Sequence, residues 1–185
     1  MRKVIYSMSV SLDGFIAGPG GEIDWSAPDE ELHRFHNERV RELGAHLCGR
    51  RLYETMVYWE TDDPSWGPIE TEFAAIWRPL PKIVFSSTLE SVEGNWRLAS
   101  GGIAEEVAAL RDQEPDGKDL EVGGAGLAAA FSSLGLIDEY RLFVSPVVLG
   151  AGTPYFPAIE ERIELELLET RTFGSRVQYL RYRRV

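Results

Sequence analysis

Metal-binding and redox side chains are scarce in this chain: 185 residues include one cysteine and three histidines. A lone thiol, Cys48, rules out an intrachain disulfide framework and a multi-cysteine zinc site, and its apolar neighbours mark it as a small buried hydrophobe. His33 and His36 lie one turn apart on an expected helix, yet no cysteine or adjacent carboxylate pattern completes a ligand set, so a solvated helix face is expected and no metal. No apolar run reaches the roughly 18 residues of a membrane-spanning helix, and no long apolar stretch follows Arg2 and Lys3. The expectation is a cytoplasmic protein with no membrane partner. Positive charge is also short: 19 Lys and Arg against 30 Asp and Glu leave a formal net charge of −11, which works against nucleic acid as a partner because that binding needs a broad basic surface. Neither the Gly-Lys-Ser/Thr of a P-loop nor the Gly-x-Ser-x-Gly of a hydrolase elbow occurs.

What is present points to one α/β domain spanning residues 1–185, with 44% hydrophobic residues to fill its core. Val4 to Val10 reads as a buried first strand closed by Asp13-Gly14. Pro28 with Asp29, Glu30 and Glu31 opens a helix that Gly44 is expected to end. Ala45 to Cys48 reads as a strand and Gly49 to Met56 as a turn entering a helix. Trp59 to Pro68 looks like loop, Glu70 to Trp77 helix, Lys82 to Phe85 strand, Ile103 to Arg111 helix, Asp119 to Val122 strand and Leu127 to Leu134 helix. The last third changes character: Glu139 to Leu149, Ile163 to Phe173 and Arg176 to Arg184 read as strands, the final two joined at Gly174-Ser175 as a hairpin. Alternating βα units with an antiparallel end imply a mixed sheet covered by helices. Gly150 to Pro157 is the richest loop.

The most telling segment is Val122-Gly123-Gly124-Ala125-Gly126, set between a strand and a helix. Glycines let backbone N–H groups approach a pyrophosphate, and a helix start favours its charge. The bland alternative is a turn allowing close helix packing. Arg50, Arg51, Ser86, Ser87 and Thr88 collect where two strands end, cations and hydroxyls suited to a phosphate; the alternative is helix-surface charge and a simple turn. Asp13 is a strand-end carboxylate beside a flexible glycine, or merely an Asp-Gly turn. Glu30 and Asp29 stand in a first helical turn, where acids ordinarily serve the dipole.

Five segments in order carry a resemblance: Ser11-Leu12-Asp13-Gly14-Phe15-Ile16-Ala17, Gly49-Arg50-Arg51-x-Tyr53-Glu54, Val84-Phe85-Ser86-Ser87, Val122 to Gly126, and Pro146-Val147-Val148-Leu149-Gly150-Ala151-Gly152. Together they resemble the dihydrofolate-reductase-like family, in the branch related to the C-terminal reductase domain of the bifunctional riboflavin-biosynthesis deaminase-reductase. The resemblance implies a three-layer fold: a mostly parallel central sheet, helices on both faces and an antiparallel C-terminal hairpin. It implies NADPH as cofactor, held by Gly49, Arg50, Arg51, Ser86, Ser87, Thr88, Gly123, Gly124, Ala125 and Gly126. Asp13, Gly150 and Gly152 would border a small-molecule substrate, with Asp13 and Glu30 as catalytic candidates. A homodimer is also implied. The substrate implied is 5-amino-6-(5-phosphoribosylamino)uracil, with dihydrofolate or a pterin as alternative; Phe15 stands where a basic residue often follows Asp-Gly in that branch. The His-x-Glu and Pro-Cys-x-x-Cys of a zinc deaminase are absent, so any activity would be the reductase alone. The rival of another class is a non-catalytic nucleotide-binding or dimerisation module.

Overall fold

The computed structural model describes residues 1–156 and 162–185, so Pro157, the end of the expected loop, lies outside the described residues. The opening Val-Ile-Tyr run forms β1 (Val4–Ser11), followed by the short β2 (Phe15–Ala17). Then come α1 (Glu30–Arg41), β3 (Leu43–Gly49), α2 (Arg50–Met56) and α3 (Pro68–Trp77). The middle of the chain supplies β4 (Lys82–Phe85), β5 (Trp96–Leu98), α4 (Ile103–Gln113), β6 (Asp119–Gly123) and α5 (Ala125–Ser133). The chain closes with β7 (Glu139–Ser145), β8 (Thr153–Pro154), β9 (Leu165–Thr172) and β10 (Gln178–Arg184).

Eight strands make one sheet in the order β5-β4-β3-β6-β1-β7-β10-β9, while β2 and β8 form a separate two-stranded ribbon. Strands β5 to β7 in that order run parallel, and β10 pairs antiparallel with both β7 and β9. The expected mixed sheet with an antiparallel hairpin is therefore present. Side chains alternate across it. Val4, Tyr6, Leu120 and Val122 pack with Val107 of α4 and Phe131 of α5. Ile5, Cys48 and Val84 pack on the other face with Phe73 and Trp77 of α3, and Leu32 and Phe35 of α1 cover Phe143 and Tyr179. Helices that link parallel strands run back against them, so the N-termini of α1 to α5 all lie at the edge where those strands end.

Several boundaries differ from expectation for physical reasons. The first helix ends at Arg41, and Gly44 lies inside β3, where a side chain would run into the Arg2 guanidinium and the Lys118 carbonyl. Close backbone approach is what this glycine provides. Strand β7 stops at Ser145 instead of Leu149 because Pro146 has no N–H for the ladder. Helix α3 starts at Pro68, two residues before the expected Glu70, with Gly67 as N-cap and proline in its first turn. The last hairpin turns through three residues, and Arg176 takes the left-handed conformation with φ 68°.

Candidate active site

Neighbouring strands β4, β3 and β6 end level with one another: Gly49 sits beside Phe85, and Cys48 beside Gly123. Sheet topology thereby gathers Gly49, Arg50, Arg51, Ser86, Ser87, Thr88 and Gly123 to Gly126 along one stretch of edge. The Ser86 hydroxyl accepts from the Thr88 and Leu89 N–H groups at 3.1 Å, fixing the turn after β4, and Arg50 Nη1 donates weakly to the Thr88 hydroxyl at 3.4 Å. Gly49 and Gly124 are the N-caps of α2 and α5, and neither helix start has a side-chain cap. Helix α1 is different: its Asp29 carboxylate already accepts from Leu32 N–H at 2.9 Å. The Gly124 N–H donates to Met8 Sδ at 3.4 Å, while the uncapped first turns beyond the two glycines present N–H groups that can meet phosphate oxygens. Gly124 has φ +88°, which disfavours any side chain there, and a Cβ at Gly123 would strike Leu52 of α2. A Cβ at Gly49 or Gly126 would meet nothing within 4 Å. Ala125 is buried and its side chain packs in the core, so only its backbone can serve a ligand. This donor set, two bare helix starts beside exposed Arg50 and Arg51, fits a dinucleotide phosphate.

Strands β1 and β7 run on past β6: Tyr6 is level with Val122, yet the β1–β7 pairing continues to Ser11 and Ser145. Beyond them, Asp13 fastens two loops. Its carboxylate accepts from the Ser11 hydroxyl at 2.7 Å, from Gly150 N–H at 2.7 Å and from Leu149 N–H at 3.1 Å. The Ser11 hydroxyl first, then the two N–H groups, hold this exposed carboxyl below the usual aspartate range. The same loop is bolted down behind: Tyr155 O–H donates to the Tyr6 carbonyl at 3.0 Å and its ring stacks on Tyr6 at 4.2 Å.

A groove of about 780 Å³ opens between the first turns of α1 and α3 and is lined by Asp29, Glu30, His33, Arg34, Glu70 and Glu72 among others. Glu30 pairs with Arg34 at 2.6 Å. The two histidines do not form the expected solvated face, because both rings pack against aromatic side chains. His33 packs against Trp59 and Phe73, and its pKa is lowered by partial burial, only partly offset by Glu70 and Glu72. His36 lies 4.4 Å from the Phe143 ring, and burial pushes its pKa down to about 4, against the opposing pull of Glu121. A histidine lowered from 6.5 to about 4 binds its proton more readily in the unfolded chain across that interval, so stability falls as pH drops from 6.5 and levels off below about 4. Urea midpoints measured over this range should slope accordingly, and His36→Phe should flatten the slope; an unchanged slope would contradict the assignment.

Sequence reasoning misses three local features. Gly67-Pro68 falls in the segment that reads as loop, although the pair is a helix-start signal. Ser7 and Ser9 share the Ile5 face of β1 by alternation and are only half-buried, small residues in a central strand where bulk would be usual. Glu121 of β6 lies on that face with its Oε1 3.3 Å from His46 Nδ1.

A family model described as the RibD C-terminal domain matches residues 2–179. Protein YyaP of Bacillus subtilis (strain 168) is 35% identical over 98% of this chain and 94% of its own length. A putative riboflavin biosynthesis protein from Shewanella sp. PV-4 superimposes with TM-score 0.78 at 22% identity, covering 100% of this chain and 99% of that one. Dihydrofolate reductase from Enterococcus faecalis, solved with NADP(H) and RAB-propyl, does so with TM-score 0.61 at 15% identity, covering 98% and 96%. The sheet order, the glycine-capped helix starts and the match along almost the whole length agree: this chain belongs to the RibD C-terminal domain family, on a dihydrofolate-reductase-like fold.

Proposed function

We propose that the chain works as a single reductase domain that binds NADPH and delivers hydride to a small heterocyclic substrate. The observation that carries this reading is the row of glycine-capped, side-chain-free helix starts beside Arg50 and Thr88 on adjacent strand ends. Backbone N–H groups of Gly123 to Gly126 and around Gly49 would hold the pyrophosphate; Arg50, Arg51, Ser86, Ser87 and Thr88 would hold the 2′-phosphate. When bound, the nicotinamide supplies the hydride. Asp13 is ionised at neutral pH, so its part is to hold the Gly150 to Gly152 loop against the substrate side, not to donate a proton. The substrate that the riboflavin-type branch implies is a pyrimidine bearing a ribosylamino phosphate. A pterin-type substrate is the second reading, favoured by Glu30 standing on the wall of the large groove.

The same reading includes a homodimer. On the sheet face away from α1, Leu142, Val144, Leu180 and Tyr182 are only partly buried and Leu167 of the edge strand is 51% exposed, an apolar surface suited to a second copy.

Coenzyme titration tests the core of the proposal. Wild-type protein should bind NADPH in preference to NADH, and Arg50→Ala should weaken NADPH binding about tenfold while leaving NADH unchanged, because only the 2′-phosphate meets that cation. Absence of any preference would remove the assigned pocket. Tight binding with no loss of NADPH absorbance in the presence of either substrate class would instead favour the non-catalytic module.

A further inference from the structure

Over the central strand β1 the cover of the sheet is incomplete. Ile5, Ser7 and Ser9 share one face by alternation; Ile5 is buried, but Ser7 and Ser9 beyond it are only half-buried. Serine in place of a bulky strand residue leaves room above the backbone. Strand β6 turns away after Val122, level with Tyr6, so the Gly123-Gly124 turn borders this stretch of β1, and Gly124 N–H reaches Met8 Sδ. On the other side β7 continues, with Phe143 beside Ser9 and buried under α1. A recess is left between the phosphate edge and α1, with two serines as its floor.

His36 of α1 stands over that floor. Its ring lies 4.4 Å from the ring of Phe143 on β7, and it also feels the charge of Glu121 on β6. A side chain that meets the strands on both sides of β1 sits above β1 itself. Hydrogen-bonding capacity there is unspent. Among the described residues the His36 ring nitrogens have no hydrogen-bond partner, and neither do the hydroxyls of Ser7 and Ser9. Ser11, next on that face, is different: its hydroxyl donates to Asp13 at 2.7 Å and accepts from Phe15 N–H at 2.9 Å. Half-buried polar groups without partners favour a ligand that supplies them. Burial, opposed by Glu121 and reinforced by His33, lowers the His36 pKa to about 4, so at neutral pH the ring carries one donor and one acceptor nitrogen. Hydroxyls also give and take a hydrogen bond. This uncharged set matches the N–H and C=O groups of a cyclic amide and holds no cation for a phosphate or carboxylate tail, which would point out of the recess.

We propose that His36, Ser7 and Ser9 form the subsite that holds the cyclic-amide edge of the substrate's heterocycle over β1, next to the glycine turn. The inference rests on the reductase reading, which puts a coenzyme at that turn and so a substrate in the adjoining recess. A matched pair tests it: 5,6-diaminouracil and its 1,3-dimethyl derivative, in which methyl groups replace both ring N–H donors, each titrated calorimetrically into the full chain saturated with NADP⁺. Wild-type protein should bind the unmethylated ring at least about tenfold more tightly. His36→Phe keeps a ring against Phe143 but removes both nitrogens, and it should abolish most of that discrimination. His36→Gln, which retains a donor and an acceptor, should restore part of it, a rescue that a packing role alone would not give. Ser9→Ala should weaken binding of the unmethylated ring about fivefold. Equal binding of the two compounds by wild-type protein, undiminished discrimination in His36→Phe, or binding of neither compound would overturn the proposal. NADP⁺ affinity measured in the same samples reports that each variant is folded. It also separates these failures from failure of the reductase reading itself, which would show as no coenzyme binding by wild-type protein.

Discussion

Lys82→Met is expected to lower the unfolding free energy by about 3–5 kcal/mol, the usual effect of removing one partner of a buried ion pair. Lys82 opens β4 with a fully buried side chain, 3.2 Å from a Glu60 carboxylate that is itself only 8% exposed. Its ammonium donates to the carbonyls of Trp77, Arg78 and Leu80 at 2.8, 3.1 and 3.1 Å, at and just beyond the C-terminus of α3. It also lies over the rings of Trp77 and Trp96 at 5.3 and 5.4 Å. Methionine keeps the stem packed between those rings but leaves the carbonyls and Glu60 without a cation. Burial lowers the lysine pKa while Glu60 raises it, so the site tolerates the charge only because the carboxylate is there. Adding Glu60→Gln to the methionine variant should restore much of the loss, since the uncompensated carboxylate goes with it. Urea denaturation of the two single variants and the double variant measures this coupling; a loss under about 1 kcal/mol for Lys82→Met alone would refute the role.

That lysine also shows where sequence reading runs out. Lys82-Ile83-Val84-Phe85 reads correctly as a core strand from its apolar run, but nothing local says that Lys82 will be buried, because its partner Glu60 sits in a segment that reads as loop. The carbonyls that Lys82 caps are close by in the chain, but the carboxylate that makes its burial tolerable lies well upstream and is visible only in three dimensions. β5 escapes for a related reason: Trp96-Arg97-Leu98 is too short for a period, and it becomes a strand because β4 offers it an open edge. By contrast β1, β6 and the final hairpin are legible, since each has either a continuous apolar run or alternation with a turn signal beside it.

The candidate site divides in the same way. Glycine-rich strand ends are legible because backbone approach to phosphate demands residues without side chains, and topology then brings Gly49, Ser86 and Gly123 onto adjacent strands. The groove is not legible as a unit. Asp29 and Glu30 lie on one helix and Glu70 and Glu72 on another, and only the packing of α1 against α3 concentrates their charge. Asp13 stands out in the sequence as a strand-end carboxylate beside a glycine, but its bond pattern is not local: its hydrogen bonds reach across the fold to a loop distant in the chain, at Leu149 and Gly150.

The two glycines of that loop should respond very differently to alanine. Gly152 has φ +143°, and a Cβ there would sit on the Ala17 carbonyl and against the Gly18 backbone, so neither rotation of a side chain nor a small shift can make room. Gly152→Ala is therefore expected to lose about 3 kcal/mol, combining the strain of a left-handed backbone with overpacking against fixed atoms. Gly150 has φ +78° and no atom within 4 Å of the place a methyl group would take, so Gly150→Ala should lose only about 1 kcal/mol, the conformational cost alone. The consequences for function should part as well. Displacing Gly152 from Ala17 opens the β2–β8 ribbon, in which Thr153 pairs with Ala17, and frees the loop that Asp13 holds. Substrate turnover should then collapse while NADPH affinity stays near wild type, because the glycine-capped helix starts lie on β3 and β6 and do not touch this ribbon. Equal losses for the two alanine variants, or loss of coenzyme binding in Gly152→Ala, would show that the loop and the phosphate edge are not the separate units their hydrogen bonds describe.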